Sequence, residues 1–226
     1  VKEVKAATGQ DKSSPVRPSR EAIVMRQLLD TCQEPLPAGL MVRLWRQIMT
    51  SSTLVQADAR VHCASRTMQA NDLRDMVRDH FGLIPIVEHE AEDEALKAAI
   101  QDRFSIAVVS PDGICAQVVS NGDIQQTAVI GTMPSFNAEG APQLLIVGQP
   151  FEEPTGQDET LVLSSGRLPR DFTPTALWEI ELSSGDFLSS LPGFLSGSRT
   201  PLLDLKQNND GLALRVLGRY PSPIRI

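Results

Sequence analysis

The sequence predicts a multidomain chain: an all-α segment over residues 1–58, a small α/β lobe over 59–150 and an α+β unit over 151–226. Three observations carry this. Up to Asp58 the apolar residues recur at helical spacing, interrupted only at Gly9, Pro15 and Pro35-Leu36-Pro37. From Arg60 to Val109 short apolar runs alternate with amphipathic ones, the β-α-β-α-β order of a parallel sheet. Beyond Thr160, strand-like runs at Leu161–Leu163, Leu177–Leu182 and Leu212–Leu217 surround an expected short helix near Phe187. A length of 226 residues suits more than one domain.

The elements follow in order. Val1 to Thr8 reads as a helix closed by Gly9; with no N-cap ahead of it, the chain is expected to begin inside that element. Pro18-Ser19-Arg20-Glu21 opens a second helix running to Thr31, with Ile23 and Leu28 on its apolar stripe. A third spans Ala38 to Gln56. In it Leu44, Ile48, Ser52 and Gln56 recur every fourth residue and share one face, so an apolar stripe runs into a polar end. Arg60–Ala64, Ile84–Val87 and Phe104–Val109 read as strands, the last a continuous apolar run of the buried type. Between them lie helices over Asn71–Phe81, with Asn71 as N-cap and Gly82 as stop, and over Glu92–Gln101. Thr127–Ile130 and Leu144–Val147 are two further strands, and Phe151–Asp158 is loop-like.

Composition narrows the function classes. Apolar residues at 41% support a buried core, and charged residues at 22% suit a soluble globular protein. The net charge of −7, with no run of Lys or Arg, argues against a surface that tracks nucleic-acid phosphates. No apolar run is long enough for a membrane span. Cys32, Cys63 and Cys115 are far apart and show no metal-ligand spacing, so reduced thiols in a cytoplasmic protein are expected, with no metal or cofactor. His62, His80 and His89 are scattered; His80, at a helix end, is placed where a cation would complement the dipole. No glycine-rich phosphate loop is present.

Lys5, Arg20, Glu21, Ser52 and Gln56 stand out as two cations, a carboxylate, a hydroxyl and an amide on three consecutive helices. Such helices pack as neighbours, so their polar faces can converge on a small anion: arginine forks a carboxylate, while lysine and glutamine donate to an oxygen gaining charge. The plain alternative is an ordinary charged helix start with Ser52 as a small packing residue.

The strings Val4-Lys5-Ala6-Ala7-Thr8-Gly9, Arg17-Pro18-Ser19-Arg20-Glu21-Ala22, Pro35-Leu36-Pro37 and Leu44-Trp45-Arg46-Gln47-Ile48-Met49-Thr50-Ser51-Ser52, closed by Gln56, resemble the all-helical chorismate mutase family, especially its form fused to prephenate dehydratase. The resemblance implies a pericyclic rearrangement of chorismate to prephenate, needing no nucleophile, metal or cofactor. It implies that Lys5 and Gln56 donate to the ether oxygen, Arg20 holds a carboxylate, Glu21 contacts the ring hydroxyl and Ser52 positions the substrate. Arg17 receives no firm role. It also implies a homodimer whose long first helix supplies two further arginines; only the end of that helix is in this sequence.

Leu144–Gly148 followed by Pro154-Thr155-Gly156-Gln157-Asp158-Glu159-Thr160-Leu161-Val162-Leu163-Ser164 resembles the junction of a prephenate dehydratase with its ACT domain, and His80-Phe81-Gly82 resembles the end of that enzyme's first helix. Where the family has Thr-Arg-Phe, this chain has Pro142, Gln143 and Leu144, which lack the hydroxyl and the fixed charge. The interval from Val109 to Thr127 leaves no room for a second lobe. The middle region is therefore expected to be a degenerate, scaffolding dehydratase-like lobe, and the last an ACT-like unit without the usual phenylalanine-binding strings. Two alternatives stay open: an unrelated α/β domain, and a non-catalytic regulatory or assembly protein binding an aromatic metabolite or a partner enzyme.

Overall fold

The computed structural model describes residues 16–31, 36–102, 104–114, 127–150, 153–197, 200–208 and 211–225. Lys5, the expected helix before Gly9, Cys32 and Cys115 lie outside them. The fold is mixed α/β with two sheets. Helices α1 (Pro18–Thr31) and α2 (Ala38–Gln56) come first. Next are β1 (Val61–Ala64), α3 (Ser65–Gln69), α4 (Asn71–Phe81), β2 (Ile86–His89), α5 (Glu92–Gln101) and β3 (Ile106–Val109). The strands β4 (Ala128–Met133), β5 (Leu144–Gly148), β6 (Asp158–Ser164), β7 (Trp178–Glu181) and β8 (Phe187–Pro192) follow, then α6 (Pro201–Asn208) and β9 (Leu214–Pro221).

The first sheet has the order β2-β1-β3-β5-β4. Its β2-β1-β3 part is parallel, as the alternating pattern predicts, but β5 and β4 add antiparallel. The second sheet, β7-β8-β6-β9, is antiparallel throughout. The segment near Phe187, expected to be helical, is strand β8. It fills the place between β6 and β7, and that pairing satisfies its backbone groups whatever its local propensity. Helices α3 and α6 carry too few periodic residues to be legible in advance. Asn71 is the first residue of α4 rather than its cap, since Ala70 holds the cap position without a side-chain hydrogen bond. Gly82 ends α4 as expected, with φ 53°, a conformation costly for any residue with a Cβ.

Strand β3 shows how the core is made. Ala107 and Val109 pack on one face with Leu96 and Ala99 of α5, and with Leu161, Leu188 and Tyr220 of the second sheet. Ile106 and Val108 pack on the other face with Met68, Val77 and Phe81. A period of two with both faces covered explains the unbroken apolar run. The sheets approach most closely where β9 meets β4: a Cβ on Gly218 would lie 2.7 Å from Val129 N, so only glycine fits there. On the outer face of the second sheet, Val162 and Leu191 pack with Leu202 of α6.

The helical pair has a smaller core of its own, Met25 and Val42 with Leu29, Trp45 and Met49, closed by Ile224 and Phe136 from the body. Arg26 of α1 ties it down. Its guanidinium donates to Thr155 Oγ1 (3.0 Å), to the Gln157 carbonyl (3.1 Å) and to the Ser222 carbonyl (2.8 Å).

Candidate functional site

Four of the five residues singled out from the sequence line one cavity between α1 and α2. Arg20 and Glu21 come from the first turn of α1, Ser52 and Gln56 from the last turns of α2, and the cavity measures about 390 Å³. Four residues are close to one helical turn, so Ile48, Ser52 and Gln56 line the same wall. Arg17, Val24, Trp45, Met49 and Thr53 complete it.

The polar groups differ in state. Gln56 Nε2 donates to Ser52 Oγ (3.1 Å) and to the Ser52 carbonyl (3.0 Å), so the amide is turned back on its own helix. A ligand oxygen would compete with those bonds. Trp45 Nε1 is buried with no hydrogen-bond partner among the described residues, a donor left at a cost of about 1–3 kcal/mol. Glu21 retains some solvent contact as a residue, yet desolvation of its carboxyl raises its pKa to about 7; the nearby Arg46 charge opposes this only in part. Near neutrality this carboxyl can donate or accept a hydrogen bond.

Glu21 also lines a second, 60 Å³ cavity beneath α1, together with Arg46, His80 and Ser135. Arg46 donates to Ser135 Oγ at 2.5 Å, and Ser135 Oγ lies 3.1 Å from His80 Nδ1. Arginine can only donate, so the chain of bonds is satisfied when the Ser135 hydroxyl donates to an unprotonated Nδ1. Burial, then the Arg46 charge, hold the His80 pKa well below its ordinary 6.5. The expectation of a dipole-complementing cation is therefore corrected: His80 is a neutral acceptor. The signal was legible, because His80 continues the stripe Leu73, Met76 and Val77 at helical spacing. Arg46 and Ser135 carried no comparable signal, since 89 residues separate them.

Elsewhere, His62 Nδ1 and His89 Nε2 meet at 2.8 Å across the parallel pair β1–β2, a partnership invisible in the sequence. Among the described residues no group of His, Cys, Asp and Glu could hold a metal, and Cys63 is a buried free thiol. No described helix is long and apolar enough to cross a membrane.

Fold and site together define a mixed α/β protein with two sheets, carrying on a helical pair a cavity whose walls combine polar and apolar side chains. No family model and no curated protein matches the chain. Among solved structures, it is similar to one described as a novel type of quorum-quenching acylase, at 12% identity and a TM-score of 0.49, covering 72% of this chain and 95% of that one. A prephenate dehydratase from Streptococcus mutans gives 14% identity and a TM-score of 0.43, covering 74% and 99%. A prephenate dehydratase from Arthrobacter aurescens in complex with L-Phe gives 12% and 0.41, covering 72% and 90%. At these values they assign no activity to the chain.

Proposed function

We propose that the α1–α2 cavity binds a small dicarboxylate enol ether and, together with Lys5, catalyses the rearrangement of chorismate to prephenate in aromatic amino-acid biosynthesis. The observation that carries this is the shared cavity: a guanidinium, a carboxyl, a hydroxyl and an amide, chosen from the sequence as a set, line one space of about 390 Å³. That volume falls within the range of small-molecule sites.

The reaction is pericyclic, so the protein need only hold the reactive conformer and stabilise the oxygen of the breaking bond. Arg20 forks a substrate carboxylate. Gln56 swings from Ser52 to donate to the ether oxygen, with Lys5 as second donor. Glu21 meets the ring hydroxyl, and its raised pKa permits donation as well as acceptance near neutrality. Ser52, released from Gln56, orients the substrate. The dehydratase-like middle region acts as scaffold, and Pro142 and Gln143 supply no acid or fixed cation to it. The exposed Leu40, Leu44 and Ile48 along α2 support a homodimer, and the whole is read as a cytoplasmic enzyme.

The test is chorismate consumption by full-length protein. Prephenate should form at a rate indifferent to EDTA, and Gln56→Ala should lower kcat by about 10²-fold or more. No turnover would overturn the reading. One observation favours a second reading, a binding protein without catalysis: Gln56 is already engaged by Ser52. That reading expects a ligand-induced rise in Tm with no product.

A further inference from the structure

A cavity of about 680 Å³ forms a groove between α2, α4 and the segment 133–136. It lies apart from Arg20, Ser52 and Gln56, none of which lines it. Its charges are segregated. Half-buried Arg46 and His80 stand at its base beside Ser135, and the exposed Asp72, Asp75 and Asp79 lie along α4.

Arg46 uses one guanidinium hydrogen bond, to Ser135, and forms no ion pair among the described residues. The Glu21 and Asp79 carboxyls lie near enough to act on its charge, but neither hydrogen-bonds it. A guanidinium has five N–H donors, so the base of the groove keeps donors with the planar geometry that a carboxylate matches. Along α4, Asp79 is paired with Arg43 at 2.9 Å and Asp75 lies 3.6 Å from Arg74 Nε. Asp72 forms no ion pair among the described residues. Met76 and Phe136 supply an apolar wall.

A plain anion would be opposed by the unpaired Asp72, and a plain amine by Arg46. A molecule bearing both charges satisfies each end. We propose that this groove is a second ligand site for a small zwitterion of the α-amino-acid class, its carboxylate on Arg46, its ammonium on Asp72 and its apolar side chain on Met76 and Phe136. The proposal does not rest on the mutase reading.

The experiment is calorimetric titration of the full chain with L-leucine and L-phenylalanine, and with 3-phenylpropionate and 2-phenylethylamine as half-ligands. Saturable binding of at least one amino acid is expected, with both half-ligands about 10-fold weaker or worse. Asp72→Asn should weaken binding about 10-fold, and Arg46→Gln should abolish it. Should Arg46→Gln fail to fold, Asp72→Asn, an exposed substitution away from the buried network, carries the test. Binding of neither amino acid, half-ligands as tight as the amino acids, or unchanged affinity in Asp72→Asn would overturn the proposal. Chorismate turnover is not the readout, so failure here leaves the mutase reading standing.

Discussion

Strand β6 buries all seven of its residues, whereas α2 leaves Leu40, Leu44, Ile48 and Val55 between 44% and 73% exposed. The two-sheet body closes its own core: every face of its central strands is covered by α5, by the α3–α4 layer, by the other sheet or by α6. The helical pair has three buried apolar residues in its cluster, one of them, Ile224, lent by the body. The difference teaches where stability and function divide. The body is fastened by apolar area and the pair by a few polar ties, while ionisable groups in altered states occur in both: Glu21 and Arg46 in the pair, Cys63 and Tyr220 in the body.

Four measurements would break or sharpen that contrast. The largest effect is expected at Gly218. Replacing it with Ala drives a Cβ into the Val129 backbone, which has no rotamer by which to yield, and should cost about 3 kcal/mol or more in urea unfolding, or prevent folding. Next, Leu188→Ala in the body should cost about 2–5 kcal/mol, while Val55→Ala on α2 should stay within about 0.5 kcal/mol. Equal losses would erase the distinction. Third, Arg26→Ala removes three hydrogen bonds between α1 and the body. A loss of about 1–3 kcal/mol is expected, with amide exchange accelerated in α1 and unchanged in β6.

The smallest effect concerns pH. Burial raises the Glu21 pKa to about 7 in the folded chain, against the ordinary 4.5 that holds when the chain is unfolded, so the folded state prefers the protonated form. Its cost sets in as pH rises above about 4.5 and is complete above about 7. Glu21→Gln should therefore stabilise at pH 8 by about 1–2 kcal/mol and do nothing at pH 4. His80 works in the opposite sense: its folded pKa lies below 6.5, so stability falls as pH drops below that value. A Glu21→Gln gain that is the same at both pH values would remove the assignment.

Helices α1, α2 and α5 were legible to within a residue, because each combines strong 3.6-residue periodicity with a proline or a clear polarity change at its ends. The buried run in β3 was legible from its shortness and β-branched content: Ile-Ala-Val-Val without a polar break suits a strand covered on both faces. The placement of Ser52 and Gln56 on one wall followed from helix geometry alone.

Segment 187–192, by contrast, is a strand only because β6 and β7 flank it, and β5 runs antiparallel to β3 only because the chain returns from β4 at the sheet edge. His80 is neutral because Arg46 and the surrounding core reach it from elsewhere, and Ser135 becomes its partner across 55 positions. What the sequence by itself determined about this protein is therefore local: where helices run, which residues share a face and which strand is doubly buried. Tertiary structure alone decided the strand order, the Arg46–Ser135–His80 chain and the charge states around it. These depend on through-space contact and desolvation, which no spacing along the chain records.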